Sequence, residues 1–488
     1  MLTVILRGHD HFYPLCDVVR LLTGVIPKVE DREIRVDVAE NAVIVSSLSD
    51  KKITTCIEDG FRGLKEKRSR ECDREGELTS EGLPVSREIK RQLYFLLSDA
   101  LAKELPWGSL TGIRPTQVAR EVSCEEDLTQ IYGVRPDKAR LAFRTMTGED
   151  AVLRESEPDS LHIYIGIPFC PSRCSYCSFV AQEAPRKTGL LPSYVDAVLK
   201  EIDLVLPKID QKIETLYIGG GTPTVLDEEL FEKFIDGVFS HDAFRNLREV
   251  TVEAGRADTI TEKKLQTLRK AGITRICINP QTLCDATLTR IGRHHSAADF
   301  IRAYTLARSK GFSVINTDLI AGLPGESAEE FCDSLKQIID LDPENITVHS
   351  LSKKRRSDLS REEIVKFESE ELSKMETMLS FAFAALTEAG YAPYYLYKQK
   401  DTLGGHENVG YQKGNTSCIY NVAMMGDQRS VLSFGAGGMS KRVFHDASSD
   451  AGHVRVERCS CIKDAIQYIQ NVEAMAEKKI RFFESGAV

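Results

Sequence analysis

The sequence predicts an α/β protein, with a parallel β-sheet in the middle of the chain and an α+β region on each side of it. Between residues 161 and 351, six apolar strand candidates alternate with helical patterns, which is typical of parallel strands joined by crossover helices. Short strands precede this part, and a long amphipathic helix with Tyr- and Gly-rich strands follows it. A chain of 488 residues is long enough for two or three domains, and we predict them at 1–155, 156–357 and 358–488.

The N-terminal region is predicted to form strands followed by a helix. The strand candidates share alternating apolar positions and β-branched residues; they are LTVILRG, EIRVDVAE, NAVIVSSL and KKITTCI. The segment SREIKRQLYFLLSDALAKEL then shows helical apolar spacing, and Ser86 is its predicted cap. The only tryptophan of the chain, Trp107, lies just beyond it in 106-PWGSLTGIRPTQVAREV-122.

The central region is predicted to form a parallel sheet. Its strand candidates are LHIYIGI (161–167), ETLYIG (214–219), EVTVEA (249–254), TRICIN (274–279), FSVINTDLI (312–320) and NITVHSL (345–351). Helical patterns such as TEKKLQTLRKAG lie between them, and its final Ala-Gly is a typical helix stop. Six strand–helix units fall short of the eight of a complete barrel, so a partial barrel and a doubly wound sheet both fit the pattern.

Three cysteines lie close together directly after the first of these strands. Cys170, Cys174 and Cys177 are spaced C-x3-C-x2-C, and such a loop can ligate three irons of a [4Fe–4S] cluster. The fourth iron would then be open to a small chelating molecule. The alternative is a zinc site completed by a distant side chain, for which His162 and Cys418 are the candidates.

Other polar residues lie at the ends of the following strands, where parallel α/β folds bind their ligands. The glycines of 219-GGGTPT-224 either let the backbone approach a ligand or form a simple turn. Glu253 can accept hydrogen bonds from a ligand or form a salt bridge inside the barrel, and Gln281 follows the next strand. Asp318 requires a partner if it is buried. Arg293 can hold a carboxylate or be a solvated loop residue.

The composition limits the classes of partner. The formal net charge of -9 argues against generic binding to nucleic acid or to an anionic membrane. No apolar run approaches the roughly 20 residues needed to cross a bilayer, and the first residues lack the features of a signal peptide. We therefore predict a cytoplasmic protein with neither nucleic acid nor membrane as a partner.

The motifs taken together resemble a known superfamily. Tyr164 six residues ahead of Cys170, the GGGTPT turn, the TVEA glutamate and the DLIAGLPG strand resemble the radical S-adenosylmethionine (SAM) superfamily. Within it they are similar to the oxygen-independent coproporphyrinogen III dehydrogenase family, and SLTGIRPT, PYYLYKQK and ENVGY resemble its HemZ branch. The resemblance implies a partial (β/α)6 barrel.

The resemblance also implies the cofactors and the residues that hold them. Cys170, Cys174 and Cys177 would hold a [4Fe–4S] cluster, and SAM would chelate its fourth iron. Tyr164, Gly220 and Glu253 match the positions that contact this first SAM. One or two SAM molecules bind in the family, and the positions that match contacts to a second one are Tyr176, Gly221, Thr222, Gln281, Arg293 and Asp318.

The implied reaction converts coproporphyrinogen III into protoporphyrinogen IX. A 5′-deoxyadenosyl radical from SAM takes a hydrogen from the β-carbon of a propionate, and loss of CO2 and one electron leaves a vinyl group; two such events complete the conversion. An unidentified electron donor and acceptor are also implied. The substrate carries four carboxylates, so 353-KKRR-356 is the candidate clamp, with Arg114 as a weaker candidate and a solvated loop as the alternative.

Two departures from the family pattern favour a second function. Phe179 stands where decarboxylating members carry a further cysteine, and relatives with phenylalanine there include haem chaperones. Gly166 stands where many relatives have histidine in Y-x-H-I-P-F. The alternative is therefore a haem-binding delivery protein on the same scaffold.

Overall fold

A computed structural model describes most of the chain. The described residues are 1–39, 41–49, 51–60, 66–72, 78–80, 82–177, 182–184, 189–352, 369–399, 402–445 and 454–484. Within them, no helix combines the length and the apolar character that crossing a membrane requires.

The N-terminal residues fold into a six-stranded mixed sheet covered by two helices. The strands are β1 (Leu2–Arg7), β2 (Lys28–Glu30), β3 (Glu33–Val36), β4 (Ala42–Ser49), β5 (Lys52–Gly60) and β6 (Lys67–Glu71), in the order β2-β3-β1-β4-β5-β6. Helices α1 (Phe12–Thr23) and α2 (Val85–Leu101) pack on the sheet in a core that extends from Leu2 to Leu105. The four predicted strands are present.

The predicted cap of α2 is wrong. Pro84 in an extended conformation occupies the cap position, and Val85, the first residue of the helix, is already buried in the core. Ser86 therefore lies inside the first turn, where it cannot cap the helix.

Three helices connect this sheet to the centre of the chain: α3 (Pro115–Ala119), α4 (Glu125–Tyr132) and α5 (Pro136–Glu155). Their buried side chains belong to the same hydrophobic core as the central sheet, whereas the first core ends at Leu105. The division of the chain at residue 155 stays a prediction.

The central region is a parallel sheet with helices on its outer face. The strands of this sheet are β7 (Leu161–Ile167), β10 (Ile213–Gly220), β11 (Glu249–Glu253), β12 (Arg275–Cys277), β13 (Val314–Ala321) and β14 (Asn345–Ser350). Strands β8 (Phe169–Cys170) and β9 (Gln182–Glu183) form a separate two-stranded sheet after β7. The helices of the central region are α6 (Leu190–Val205), α7 (Glu228–Phe239), α8 (Glu262–Lys270), α9 (Asp285–Arg290), α10 (Ala297–Ser309) and α11 (Ala328–Asp340).

The strand order settles the architecture that the pattern left open. The strands β7, β10, β11, β12, β13 and β14 lie side by side in chain order, and every neighbouring pair is parallel. A doubly wound sheet reverses its order at a switch point, and this sheet does not. The sheet does not close on itself, so the predicted partial (β/α)6 barrel is confirmed.

The C-terminal region extends this sheet at both edges. It comprises α12 (Ser369–Glu388), β15 (Ala392–Lys398), β16 (Glu407–Gln412), α13 (Ile419–Met425), β17 (Ser430–Phe434), β18 (Met439–His445), β19 (Val454–Ser460), α14 (Ala465–Gln470) and α15 (Val472–Glu484). Strand β16 pairs antiparallel with β14 and carries β15 on its other side. At the opposite edge, β17 lies parallel to β7 and is followed by β18 and β19.

Two buried polar networks bind the C-terminal region, one to the N-terminal region and one to the barrel. In the first, the indole nitrogen of Trp107 donates to Glu407 Oε2 at 2.7 Å and Lys138 Nζ donates to Glu407 Oε1 at 2.5 Å. In the second, the carboxylate of Glu201 on α6 accepts from the ammonium of Lys479 at 2.5 Å and from the hydroxyl of Tyr468 at 2.6 Å. Because all these groups are buried, each ion depends on its partner.

Candidate functional site

The interior of the barrel is lined by polar and aromatic side chains. Alternate residues of a strand face the same side of the sheet, and cross-strand contacts identify the inner face. The inward side chains are those of His162, Tyr164, Thr215, Tyr217, Glu253, Cys277, Asn316, Asp318, Thr347 and His349. Outward residues such as Ile163, Ile165 and Ile218 are apolar and fully buried under the helices. A barrel whose interior is only packing would be filled by branched apolar residues, so this interior is suited to a polar ligand.

The cysteine loop lies at the carboxyl end of β7. Cys170 lies in the short strand β8, and the Cys177 amide donates to the Cys174 carbonyl at 3.0 Å, which makes a tight turn. The pKa of the Cys170 thiol is raised to about 11, chiefly by burial; the hydrogen bond from Thr222 lowers it, and the neighbouring Cys177 and Cys174 contribute to the rise. The three thiols therefore lie close enough to repel one another as thiolates, and a bound metal cluster would relieve this repulsion.

Hydrogen-bond donors surround these sulfur atoms. The hydroxyl of Thr222 lies 3.6 Å from Cys170 Sγ, and the guanidinium of Arg256 lies 4.0 Å from Cys174 Sγ. Hydrogen bonds to cysteine sulfur stabilise the thiolate that ligates an iron–sulfur cluster and tune its potential. These residues fit a cluster held by the loop.

The zinc alternative gains no support. In the described part of the chain, no three Cys, His, Asp or Glu side chains converge on one point where a single metal ion would sit. Neither predicted fourth ligand is placed for this role. His162 lies at the amino end of β7, whereas the cysteine loop follows its carboxyl end, and the Cys418 thiol donates to Glu249 Oε1 at 3.3 Å.

The glycine run at the end of β10 makes a turn that only glycine can make. The Gly221 amide donates to the Ile167 carbonyl at 2.8 Å, which holds the turn against the cysteine loop. A Cβ atom on Gly221 would lie 2.5 Å from the carbonyl oxygen of Phe169, and Gly220 has a φ of +114°. The positive φ of Gly220 and the close backbone contact at Gly221 therefore explain why this turn contains glycines.

Glu253 ends β11 beside this turn. Its carboxyl accepts from the Tyr217 hydroxyl at 2.6 Å and from the Gly220 amide at 3.2 Å. Burial raises the pKa of Glu253 to about 7; the hydrogen bond from Tyr217 lowers it, and the nearby charge of Asp318 raises it. The ring of Tyr164 stacks on Tyr217 at 6.2 Å between centroids. The three positions predicted to contact the first SAM are thus brought together around Tyr217.

Arg293 is buried against the cysteine loop, with 7% of its surface exposed, so it is not a solvated loop residue. One guanidinium nitrogen donates to the Asn279 carbonyl at 2.6 Å, and the other lies 3.4 Å from the Tyr176 hydroxyl. Gly221 and Thr222 border the same loop from β10. Four of the positions predicted for a second SAM therefore lie around the cysteines.

Gln281 lies beyond the end of β12, beside Asp318 in the middle of β13. Gln281 has a φ of +71°, its amide donates to the Asp318 carbonyl at 2.9 Å, and its carbonyl accepts from Ile320. A positive φ at a non-glycine residue indicates strain that the surroundings impose. Among the described residues, the buried side-chain oxygen of Gln281 has no hydrogen-bond partner.

The predicted carboxylate clamp cannot be placed in this site. Lys353 to Arg356 lie outside the described residues, as does Phe179. Arg114 pairs with Asp427 at 2.5 Å, just ahead of β17. Because β17 runs parallel to β7, this pair lies at the amino ends of the strands, away from the cysteine loop. Arg114 is therefore not positioned as a clamp.

The structure adds residues that the motifs did not identify. Tyr217, Tyr420, His349 and Tyr397 all contact the predicted positions or their neighbours. Alternation along β10 and β14 places Tyr217 and His349 on the inner face and could have identified them. The position of Tyr420 depends on a helix from the C-terminal region and could not be read from the strands.

Comparison with known proteins agrees with this site. A family model described as the radical SAM superfamily matches residues 164–338. The HemZ protein of Bacillus subtilis, described as an oxygen-independent coproporphyrinogen-III oxidase-like protein, is 38% identical over 78% of this chain and 77% of its own length. This chain belongs to the radical SAM superfamily, in the family of HemZ. Radical SAM proteins use a [4Fe–4S] cluster and SAM, and the cysteine loop is where this chain would hold the cluster.

Other relatives match only part of the chain. The haem chaperone HemW of Bacillus subtilis is 36% identical over 38% of this chain and 49% of its own length, and HemW of Escherichia coli is 33% identical over 39% and 50%. The chain thus spans about half the length of these chaperones. The structure of Escherichia coli coproporphyrinogen III oxidase, HemN, is 20% identical with a TM-score of 0.50, over 67% of this chain and 72% of that one. This likeness shows a shared fold.

Proposed function

We propose that this radical SAM protein catalyses the oxygen-independent oxidative decarboxylation of coproporphyrinogen III to protoporphyrinogen IX in haem biosynthesis. The observation that carries the proposal is the match to HemZ, which spans 392 residues and therefore extends well beyond the barrel. The polar barrel interior supports it, because a radical reaction on a carboxylate-bearing substrate needs an enclosed site that positions polar groups.

The residues of the chain have separate tasks in this proposal. Cys170, Cys174 and Cys177 ligate the cluster, while Tyr164 and Glu253 line the position of SAM on the neighbouring strands. When bound, these cofactors supply a 5′-deoxyadenosyl radical that takes a hydrogen atom from a propionate β-carbon, after which CO2 and one electron leave and a vinyl group remains. The electron passes to an acceptor that is still unidentified, as is the donor to the cluster.

Glu253 holds a proton under mildly acidic conditions because its pKa is about 7. A neutral carboxyl can donate one hydrogen bond and accept others, whereas the ionised form would only accept, from the amino group or the ribose hydroxyls of SAM. We therefore expect SAM binding to displace the Glu253 proton. The four carboxylates of the substrate would meet cations at the rim, and 353-KKRR-356 stays the proposed clamp.

The test is an anaerobic assay of the full chain. The cluster is reconstituted, and SAM, a reductant, an electron acceptor and coproporphyrinogen III are added. Protoporphyrinogen IX and 5′-deoxyadenosine should appear in proportion, and both should be lost in Cys174→Ala. Cleavage of SAM without porphyrin conversion would contradict the proposed substrate. Replacing Lys353 to Arg356 with glutamine should raise the KM for the porphyrinogen. An unchanged KM would contradict the proposal that these residues bind the substrate carboxylates.

A haem chaperone is the second candidate. The matches to HemW proteins at about a third identity support it, and so does Phe179, because relatives with phenylalanine there include haem chaperones. A haem titration of the cluster-loaded protein tests it directly. Stoichiometric haem uptake without porphyrin conversion would favour the chaperone over the decarboxylase.

A further inference from the structure

Two hydrogen-bond chains lead from the C-terminal strand β15 to the two carboxylate oxygens of Asp318. Strand β15 lies outside residues 164–338, the part of the chain that the superfamily model matches. Its side chains Tyr395 and Tyr397 point towards the barrel, and their rings stack with an interplanar angle of 3°. Strand β16 separates β15 from β14, so both tyrosines must reach across a neighbouring strand.

The first chain passes through His349. The amide of Gln399 donates to the Tyr397 oxygen at 3.4 Å, and the Tyr397 hydroxyl lies 3.1 Å from His349 Nδ1. His349 Nε2 lies 3.5 Å from Asp318 Oδ2. Because Tyr397 already accepts from Gln399, its hydroxyl proton can go to Nδ1. Nε2 then carries the proton that faces the carboxylate, whereas the opposite tautomer would place two lone pairs against each other.

The second chain passes through Thr347 and Asn316. The Tyr395 hydroxyl lies 3.3 Å from the Thr347 hydroxyl, which donates to Asn316 Oδ1 at 3.1 Å. The Asn316 amide nitrogen then donates to Asp318 Oδ1 at 2.7 Å. Each group in this chain has one donor and one acceptor role, so the direction of the bonds is fixed. Both oxygens of Asp318 therefore receive a hydrogen bond that originates at a tyrosine of β15.

A glycine in β16 makes the crossing possible. Tyr395 pairs with Gly410, Gly410 pairs with Thr347, and Thr347 pairs with Asp318, so the four residues form one row across four strands. A Cβ atom on Gly410 would lie 1.7 Å from the ring of Tyr395. The glycine of the ENVGY segment thus has a physical reason: it leaves the face clear for the tyrosine ring.

These hydrogen bonds oppose the effect of burial on the pKa of Asp318. Burial raises the pKa of a carboxyl group, but the bonds from His349 and Asn316 outweigh it, and the pKa of Asp318 is lowered. The opposite holds for Glu253, whose pKa is raised to about 7. The titratable groups that face Asp318 are Glu253, Cys277, His349, Tyr395 and Tyr397. Of these, His349 alone can carry a positive charge.

We propose that Tyr395 and Tyr397 are positioning residues of the active site, and that they hold Asp318 as an oriented anion that binds the cationic part of SAM. This inference rests on the proposed function in one respect, the identity of the ligand. The orientation of Asp318 and the tautomer of His349 are properties of the chain itself and are tested without SAM.

The first experiment is a nitrogen-15 NMR spectrum of histidine-labelled protein without cofactors. His349 is assigned by the signal that disappears in His349→Gln. We expect an Nε2-protonated ring in the wild type and a mixture of tautomers in Tyr397→Phe, because Nδ1 then loses its donor. An Nδ1-protonated ring in the wild type, or an unchanged spectrum in Tyr397→Phe, would overturn the inference whatever the protein catalyses.

The second experiment measures SAM affinity of the cluster-loaded protein by anaerobic calorimetry across pH. Tyr395→Phe and Tyr397→Phe should each weaken binding about fivefold, the effect of about one hydrogen bond, and the double variant about 25-fold. The acidic limit of binding should move to higher pH, because the pKa of Asp318 rises. Tyr391→Phe, which loses a buried bond to the Pro343 carbonyl, is the matched control and should bind SAM normally.

Conservative variants of His349 separate positioning from simple packing. A glutamine places its amide nitrogen near the position of Nε2 and can donate to Asp318, whereas an asparagine is too short. His349→Gln should therefore keep SAM affinity within about threefold, and His349→Asn should lose it. Equal affinities in the two variants would contradict the proposal. If the wild type bound no SAM at all, the proposed function would fail, while the NMR result would still stand.

Discussion

Replacing Glu253 by glutamine should make the protein more stable and less able to bind SAM. The wild-type carboxyl is buried between the Tyr217 hydroxyl and the Gly220 amide, and its pKa is about 7 against an ordinary value of 4.5. Glutamine has the same shape: its Oε1 can accept from the Gly220 amide, and its NH2 group can donate to the Tyr217 oxygen, which reverses the direction of that bond. It carries no charge, so the cost of ionising a buried group disappears.

The size of the stability change, and the pH range in which it develops, follow from the pKa of Glu253 in the folded chain and its ordinary value. Below pH 4.5 the carboxyl is neutral in both the folded and the unfolded chain, and the substitution has no electrostatic effect. As the pH rises towards 7 the unfolded chain ionises while the folded chain holds its proton, so the wild type loses stability. Above pH 7 the loss is complete at about 3 kcal/mol, since each unit of pKa difference corresponds to about 1.4 kcal/mol.

The assay is urea unfolding of the cluster-loaded protein without SAM, at pH 5 and pH 8, followed by calorimetric titration with SAM. The gain in unfolding free energy should be small at pH 5 and largest at pH 8, and SAM affinity should fall at least tenfold. Glu326→Gln is the matched control, because burial also raises the pKa of that carboxyl to about 7. It should show the same pH-dependent gain with unchanged SAM affinity.

Two results would refute the reasoning. A Glu253→Gln protein that is no more stable than the wild type at pH 8 would mean that the carboxyl is not buried as a neutral group. A gain in unfolding free energy that is larger at pH 5 than at pH 8 would contradict the predicted direction of the link between Glu253 protonation and stability.

Three further substitutions test contacts elsewhere in the structure. Gly410→Ala should displace the ring of Tyr395 and weaken SAM binding without loss of iron, which iron analysis and calorimetry measure together. Trp107→Phe removes the donor to the buried carboxylate of Glu407. It should lower the free energy of unfolding by about 1–3 kcal/mol, measured by urea unfolding that circular dichroism monitors. Glu201→Gln leaves the buried ammonium of Lys479 without its counter-charge. It should lower the free energy of unfolding by about 3–5 kcal/mol in the same assay.

Two of these substitutions have a control, and the third has an outcome that would contradict it. Gly189→Ala adds a methyl group where nothing lies within 4 Å, so it should leave SAM binding unchanged. A Trp107→Phe protein that unfolds like the wild type would show that Lys138 alone satisfies Glu407. Lys479→Met combined with Glu201→Gln removes both buried charges, and it should recover part of the stability that the single variant loses.

The strands of the barrel and their ligand-bearing ends could be predicted because the signal is local. Each of the six parallel strands lies within two residues of its predicted bounds. Glu253 was identified by its position at a strand end, and Asp318 because a carboxylate within an apolar strand requires a partner. Periodicity in a single segment is sufficient for this. The same reasoning failed at Ser86, where a proline and a buried valine decided where the helix begins.

The pairing of distant strands could not be predicted in the same way. Strand β16 lies between β14 and β15 although β15 precedes it in the chain, and this order puts Tyr397 beside His349. Nothing in PYYLYKQK or NITVHSL specifies that contact, because it depends on which edge of the sheet each strand joins. The hydrogen-bond chains to Asp318 therefore became visible only in the folded protein.

The position of β17 has a consequence for how the protein is made. The strand that leads into the cysteine loop, β7, has β10 on one side and β17, from near the end of the chain, on the other. Until β17 has been synthesised, the edge of β7 that faces away from β10 has no strand partner. The sheet around the strand that leads into the cysteine loop is therefore completed only by a distant part of the chain.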